Sequence, residues 1–181
     1  MIPIPLCRPA CRLALAGVLA LVLAGCATEI KYTTTTSDGR RLTFRMINGV
    51  PEHPSEAGLR TDTPKLDPNP KDKTLIYLLR FFVAKGESLG SVKVEDVSDE
   101  TPFVLVEDAH PEIKNGEWRG VSRAYKLEDP EMRWVGYLDQ SFRVYRFTVT
   151  LGDGRTVVLH EGVMIPGFGK AMLRRVLGDE K

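Results

Sequence analysis

Residues 86–90 read Gly-Glu-Ser-Leu-Gly, which fits the Gly-x-Ser-x-Gly pattern of a hydrolase nucleophile. In such an enzyme Ser88 would attack an acyl group, and His160 would have to lie close to it as the base. The pattern also requires a helix directly after Gly90, because the backbone there helps to form the oxyanion hole. Residues 91–95 instead alternate like a strand. We therefore predict that Ser88 lies in a turn and that the chain is not an enzyme.

A second group of chemically active side chains is the run Glu-Asp-Ala-His-Pro-Glu at residues 107–112. Three carboxylates and an imidazole could bind a divalent cation. Pro111 restricts the backbone between these ligands, and a structural zinc site would need further nitrogen ligands, for which only His53 and His160 remain. The run therefore predicts a solvated acidic loop, without a metal or another cofactor.

Aromatic residues beside arginines mark the segments that could contact a partner. Trp118 precedes Arg119, and Trp134 and Tyr137 lie around Gly136. Such groups are typical of interface anchors. They are equally typical of a sandwich core from which arginines reach outward, and the sequence leaves both interpretations open.

The spacing of Phe168, Met172 and Val176 predicts a short C-terminal helix with one apolar stripe. Arg174 and Arg175 lie mainly on its other side. The helix could close one end of the domain, or it could dock on a partner or on an anionic membrane surface. The candidate partner contacts are thus Trp118, Arg119, Trp134, Tyr137, Arg174 and Arg175.

The first residues have the organisation of a secretory signal. Arg8 and Arg12 precede an apolar run over residues 13–23, which is shorter than a transmembrane helix of about 20 residues and ends in Leu-Ala-Gly-Cys. This segment resembles the signal and lipobox of bacterial lipoproteins. The resemblance implies cleavage before Cys26, a lipid on its sulfur and acylation of the new amino terminus. Ala27, where Asp would favour the inner membrane, implies anchoring in the outer membrane.

Cleavage before Cys26 changes the composition of the chain. The precursor has 25 basic and 24 acidic residues, and the loss of Arg8 and Arg12 leaves 23 against 24, a net charge of about −1. A near-neutral chain gives no electrostatic case for binding nucleic acid. Cys7 and Cys11 leave with the signal, so Cys26 is the only cysteine of the mature chain. The stability of the mature chain must therefore come from an apolar core rather than from disulfides.

Strand signals fill most of the mature chain. Residues 29–47 predict a hairpin with its turn at Asp38-Gly39. Residues 49–73 contain five prolines and predict a long irregular connection, with one helical turn at 55–59. The further strands are predicted at residues 75–83, 92–97, 103–106, 118–127, 142–151 and 156–165. Of these, 75–83 reads as buried on both faces.

Strand 142–151 alternates, with Tyr145, Phe147, Val149 and Leu151 on one face. The sequence of residues 145–154 resembles the last hairpin of immunoglobulin-like domains of the polycystic-kidney-disease-repeat type. The resemblance implies a sandwich fold and no particular activity. We therefore predict an all-β, antiparallel immunoglobulin-like β-sandwich.

The predicted organisation is a signal peptide at 1–25, a lipidated tether with the hairpin and the proline-rich connection at 26–73, and a sandwich at 74–181. Residues 29–48 could add strands to that sandwich. The function this favours is a non-enzymatic binding or assembly module at the periplasmic face of the outer membrane, with an envelope protein as its partner and no nucleic acid. The alternatives are a serine hydrolase using Ser88 and a carrier of a small apolar ligand, which would need a pocket between the sheets.

Overall fold

The computed structural model describes residues 28–126 and 141–165, and all regular structure in this part of the chain is β-strand. The strands are β1 Glu29–Thr35, β2 Arg41–Ile47, β3 Val50–Pro51, β4 Ser55–Glu56, β5 Leu59–Thr61, β6 Lys65–Asn69, β7 Thr74–Val83, β8 Leu89–Asp96, β9 Phe103–Asp108, β10 Glu117–Val121, β11 Tyr125–Lys126, β12 Ser141–Leu151 and β13 Thr156–Ile165. The predicted signal and C-terminal helix lie outside the described residues. Within those residues, no helix has the length and apolar character needed to cross a membrane.

Antiparallel pairing divides the strands into three sheets. The hairpin sheet contains β1, β2 and β3 in that order. The β7 sheet has β7 at its centre, with β5 and β6 along one edge, β10 and β11 along the other, and β4 beyond β5. The β12 sheet has the order β13-β12-β8-β9.

The β7 and β12 sheets pack against each other through aromatic side chains. The ring centroids of Phe81 on β7 and Phe147 on β12 are 6.3 Å apart, and those of Tyr77 and Tyr145 are 6.4 Å apart. The predicted face of β12 is confirmed, because all four of its predicted residues are buried in this core. The described chain is therefore all-β and sandwich-like.

The hairpin predicted at residues 29–47 is confirmed as β1 and β2, joined by the turn at Asp38-Gly39. Its apolar face lies on the outer side of the β12 sheet. Phe142 of that sheet stacks on Tyr32 at 5.2 Å and meets Phe44 at 5.1 Å between centroids. The hairpin sheet is thus a third layer of the molecule.

The prediction of an irregular connection over residues 49–73 is wrong for about half of its length, because β3, β4, β5 and β6 lie within it. In place of the predicted helical turn, Ala57 and Gly58 form a tight turn between β4 and β5, with φ of 49° and 76°. Pro68 is tolerated in β6 because that strand pairs with β7 alone, so its other edge needs no donor.

The prediction that residues 75–83 are buried on both faces is also wrong. Alternate residues of β7 point into the core, while Ile76, Leu78, Arg80 and Phe82 lie on the outer face of the sheet. The strand predicted at 118–127 is interrupted after β10. There the side chain of Ser122 enters the sheet and its Oγ accepts a hydrogen bond from the backbone N of Tyr77 at 2.9 Å.

Candidate interaction surface

Trp118 and Arg119, predicted as neighbouring partner contacts, lie on opposite faces of β10. Trp118 is 1% exposed, its ring stacks on Phe81 at 5.0 Å, and its Nε1 donates to Asp108 Oδ2 at 3.0 Å. It is therefore a core residue and offers no surface to a partner. Arg119 points outward from the β7 sheet. Trp134, Tyr137, Arg174, Arg175 and Cys26 lie outside the described residues.

The outer face of the β7 sheet around Arg119 carries apolar side chains that none of the described sheets covers. Leu78 is 36% exposed and Val121 is 57% exposed, and the two are cross-strand partners. They line a surface groove of about 340 Å³ together with Arg80 and Arg119. Here we call this groove, with the side chains that line it, the β7 groove.

The walls of the β7 groove carry more positive than negative charge. Three cations, on Lys65, Arg80 and Arg119, line it together with one carboxylate, on Asp62. Arg80 Nε donates to Asp62 Oδ2 at 2.8 Å. Partial burial raises the pKa of Asp62, but this hydrogen bond and the charge of Arg80 outweigh burial and hold the pKa below its ordinary value. Asp62 is therefore ionised at neutral pH and fixes the Arg80 guanidinium.

One end of the groove is rigidified by stacking on Phe82. The guanidinium carbon of Arg60 lies 4.7 Å from the centre of this ring, and that of Arg80 lies 5.2 Å from it. Arg119 Nε donates to Glu117 Oε1 at 2.9 Å, and Arg80 Nη1 donates to Glu117 Oε2 at 3.4 Å. Cation–π contacts and paired carboxylates hold these arginines in defined positions, so a ligand of this surface would find their side chains already ordered.

The surroundings of Ser88 differ from those that the Gly-x-Ser-x-Gly nucleophile pattern requires. Ser88 lies immediately before β8, so a strand rather than a helix follows Gly90. Leu89 pairs with Leu151, whereas His160 pairs with Arg146, five residues further along β12 and about 17 Å away at strand spacing. The pair that the hydrolase alternative requires is therefore not brought together.

The acidic run at 107–112 serves local structure. Asp108 Oδ1 accepts the backbone hydrogen bond of His110 at 3.0 Å, its Oδ2 accepts from Trp118, and Glu112 pairs with Lys114 at 2.8 Å. Among the described residues, no group of three His, Cys, Asp or Glu side chains could hold a metal ion.

A buried carboxylate that the sequence did not single out joins the two core sheets. Glu161 of β13 is 0% exposed, and its two oxygens accept from Thr61 Oγ1 at 2.7 Å and pair with His53 Nδ1 at 3.0 Å. Burial raises the pKa of Glu161, and the hydrogen bonds from Thr61 and His53 oppose that rise only in part. The cluster ties the β4–β5 segment to the edge of the β12 sheet.

Two tight turns that the sequence analysis did not identify have a local sequence signal. Asn48-Gly49 and Asn115-Gly116 both have positive φ and form tight turns, and Asn-Gly is the strongest local hairpin signal. No local signal exists for the Glu161 cluster, because His53 and Glu161 are 108 residues apart in the chain.

Comparison of the chain with protein-family models, with curated proteins and with solved structures found no match.

Proposed function

We propose that the chain is a lipid-anchored envelope lipoprotein, held by Cys26 at the periplasmic face of the outer membrane, and that its domain is a non-enzymatic binding or assembly module. The signal pattern before Cys26 supports the anchor. The β7 groove supports the binding role.

The proposed domain type is an immunoglobulin-like sandwich. In such domains strands A, B and E share one sheet, while C, F and G share the other. The β7 sheet, with β5–β6, β7 and β10, fits the first set in chain order. The β12 sheet, with β8, β12 and β13, fits the second, and β9 corresponds to the extra strand next to C. This connectivity supports the proposal and leaves the hairpin sheet as an addition to the fold.

The observation that carries the binding role is the exposure of Leu78 and Val121 beside the fixed guanidinium groups of Arg80 and Arg119. A partner protein that presents an apolar side chain flanked by carboxylates would bury both, and Arg119 would meet the carboxylate. The excess of positive charge in the groove selects an acidic partner over a basic one.

Site-specific photocrosslinking in the native envelope tests this role. A photoreactive amino acid at Val121 should crosslink to an envelope protein, and the substitution Arg119→Glu should abolish the product because it reverses the charge at the groove. The matched control is Val158, an exposed valine on β13 that is 37% exposed. Equal crosslinking from Val121 and Val158, or no effect of Arg119→Glu, would argue against the β7 groove as the binding site.

The anchor is tested on the mature amino terminus. Mass spectrometry of the wild-type protein should find a lipid-modified peptide that begins at Cys26, and Cys26→Ser should not be processed in this way. An unmodified peptide beginning at Ala27 would disprove the anchor.

Neither alternative function gains support from the geometry. The strand after Gly90 leaves Ser88 without the elbow of a hydrolase, so a fluorophosphonate probe should not label it. The rings of Phe81 and Phe147 meet between the sheets, where a carrier would need its ligand pocket.

A further inference from the structure

Three large apolar side chains are exposed at one end of the hairpin sheet. Ile30 and Ile47 are each 42% exposed, and Val50 is 60% exposed. Ile47 pairs with Val50 across the Asn48-Gly49 turn, so these two side chains share the face that also carries Glu29. Ile30 pairs with Met46 and lies at the same end of the sheet on the opposite face, the one that packs on the sandwich. Single exposed apolar residues are ordinary on a protein surface, but a group of them at one tip marks an interaction site. These three residues are the apolar tip.

The apolar tip lies where the chain enters the domain. The backbone N of Thr28 donates to Asn48 Oδ1 at 3.0 Å, and the backbone N of Asn48 donates to the carbonyl of Thr28 at 3.0 Å. Thr28 is thus fixed to the turn between Ile47 and Val50. Cys26 precedes Thr28 by two residues, so covalent geometry holds the two Cα atoms within about 7 Å of each other. A lipid on Cys26 would enter the bilayer beside the tip.

The charges around the tip balance one another. Glu29 pairs with Arg45 at 2.9 Å and with Lys31 at 3.6 Å, and Arg45 also reaches Glu52 at 3.6 Å. Among the described residues of these ion pairs, two cations therefore face two carboxylates, without an excess of positive charge that would attract anionic headgroups. The surface matches the apolar and interfacial part of a bilayer rather than its charged outer layer.

We infer that the apolar tip inserts into the membrane interface next to the lipid of Cys26. This rests on the proposed anchor. The hairpin sheet then stands between the bilayer and the sandwich, and the domain has a fixed orientation instead of moving freely on a tether. Leu42 lines the same groove as Val158, and Ile47 lies five residues further along β2, about 17 Å nearer the membrane.

A fluorescent probe at the tip of the lipidated protein tests the inference. Cys26 is the only cysteine after cleavage, so Val50→Cys adds a single free thiol that takes an environment-sensitive label. In phosphatidylcholine vesicles, we expect its emission to shift to the blue and to be quenched by nitroxides on the lipid chains. In the matched control, the same label on Val158→Cys should keep the emission that it has in water and should not be quenched by the lipid nitroxides.

Two further measurements separate the possible failures. If the amino-terminal peptide carries lipid but the probe at Val50 reports water, membrane insertion is wrong and the anchor stands. If Cys26 is unmodified, both are wrong. Adding phosphatidylglycerol should leave the blue shift unchanged, and a shift that appears only with this anionic lipid would overturn insertion driven by apolar contact.

Discussion

At the scale of single residues, the interior of the sandwich depends on alternation along β12. Phe147 is 0% exposed and meets Phe81 of the opposite sheet, whereas Thr148 lies on the outer side and pairs with Lys93 and Val158. Phe147→Ala removes buried apolar surface and leaves a cavity, so we expect a loss of about 3–5 kcal/mol in unfolding free energy. Thr148→Ala should cost about 1 kcal/mol or less. Denaturant unfolding measures both, and equal losses would contradict the alternation.

Glu161 gives a second prediction at this scale. Its raised pKa means that the folded protein holds this proton more tightly than the unfolded chain does. The stabilising contribution is therefore complete below the ordinary pKa of 4.5 and is lost as the pH rises through the raised value. The glutamine side chain of the Glu161→Gln variant is uncharged at every pH. The unfolding free energy of this variant relative to wild type should therefore increase between pH 4.5 and pH 8. Urea unfolding at the two pH values measures that difference.

Glu95→Gln is the matched control, because the predicted slope has the opposite sign. Burial raises the pKa of Glu95, but Lys93 and Arg146 outweigh burial and lower it below 4.5. Ionised Glu95 therefore stabilises the fold, and this contribution is lost only as the pH falls through the lowered value. Below pH 4.5, Glu95→Gln should lose stability relative to wild type as the pH rises, and between pH 4.5 and pH 8 it should change little. Slopes of the same sign for the two variants would show that one of the two electrostatic assignments is wrong.

At the scale of elements, the short strands near the amino terminus depend on turns with positive φ. The turn between β4 and β5 places Ala57 at φ 49°, a conformation that costs a residue with Cβ about 1–2 kcal/mol and that Asn tolerates better. Ala57→Asn should therefore raise the unfolding free energy by about 0.5–1 kcal/mol. Asn115→Ala is the reverse change, in a turn with φ 55°, and should lower it by a similar amount. Thermal unfolding of both variants checks the pair, and a loss of stability in Ala57→Asn would contradict this account.

The sequence predicts the long elements well, since their patterns extend over many residues. The hairpin at residues 29–47 and the strands β8, β9, β12 and β13 were all predicted. The strands β3 to β6 were not, because each has two to five residues and prolines lie among them. Their pairing makes them strands: β3 pairs with β2, β4 with β5, and both β5 and β6 with β7. A local sequence pattern does not reveal these pairings.

The candidate surface could be predicted only in part, for a related reason. Arg119 was identified, but the continuous apolar run of β7 does not reveal that one face stays uncovered. Leu78 is exposed because no described sheet packs on that side, whereas Tyr77, its neighbour, is buried by the β12 sheet. The contrast between Trp118 and Arg119 likewise follows from the register of β10 on β7. Whether an apolar residue of a strand is exposed depends on whether another sheet packs on its face. A short-range sequence pattern does not predict that packing.

At the scale of the whole molecule, the hairpin sheet connects the proposed anchor to the sandwich. Its contact with the β12 sheet combines aromatic packing at Phe142 with polar contacts near the turn. The backbone N of Ser37 donates to the carbonyl of Val97 at 2.9 Å, and Arg146 pairs with Asp38 at 3.3 Å. If the tip enters the membrane, this contact fixes the direction in which the β7 groove faces, so the stability of the contact bears on both proposals.

Gly162 allows the contact to be weakened from the sandwich side. A Cβ at this position would lie 2.6 Å from Phe44 Cδ1 and would also collide with the ring of Phe142, so both rings must move. Gly162→Ala should cost about 1–3 kcal/mol and should open the hairpin sheet before the sandwich unfolds.

Hydrogen exchange locates that loss. Backbone amides of residues 29–47 should exchange faster in Gly162→Ala, while those of β7 and β12 keep their protection, because the core between the two main sheets is untouched. Val158→Ala, four residues away on the same strand and the same outer face, adds no atom beside the Phe44–Phe142 pair and should leave the hairpin as protected as in wild type. Uniform loss of protection in Gly162→Ala would instead mean that hairpin and sandwich open as one unit. In that case the hairpin sheet, next to the proposed anchor, and the sheet with the proposed binding surface would be joined more rigidly than their separate pairing suggests.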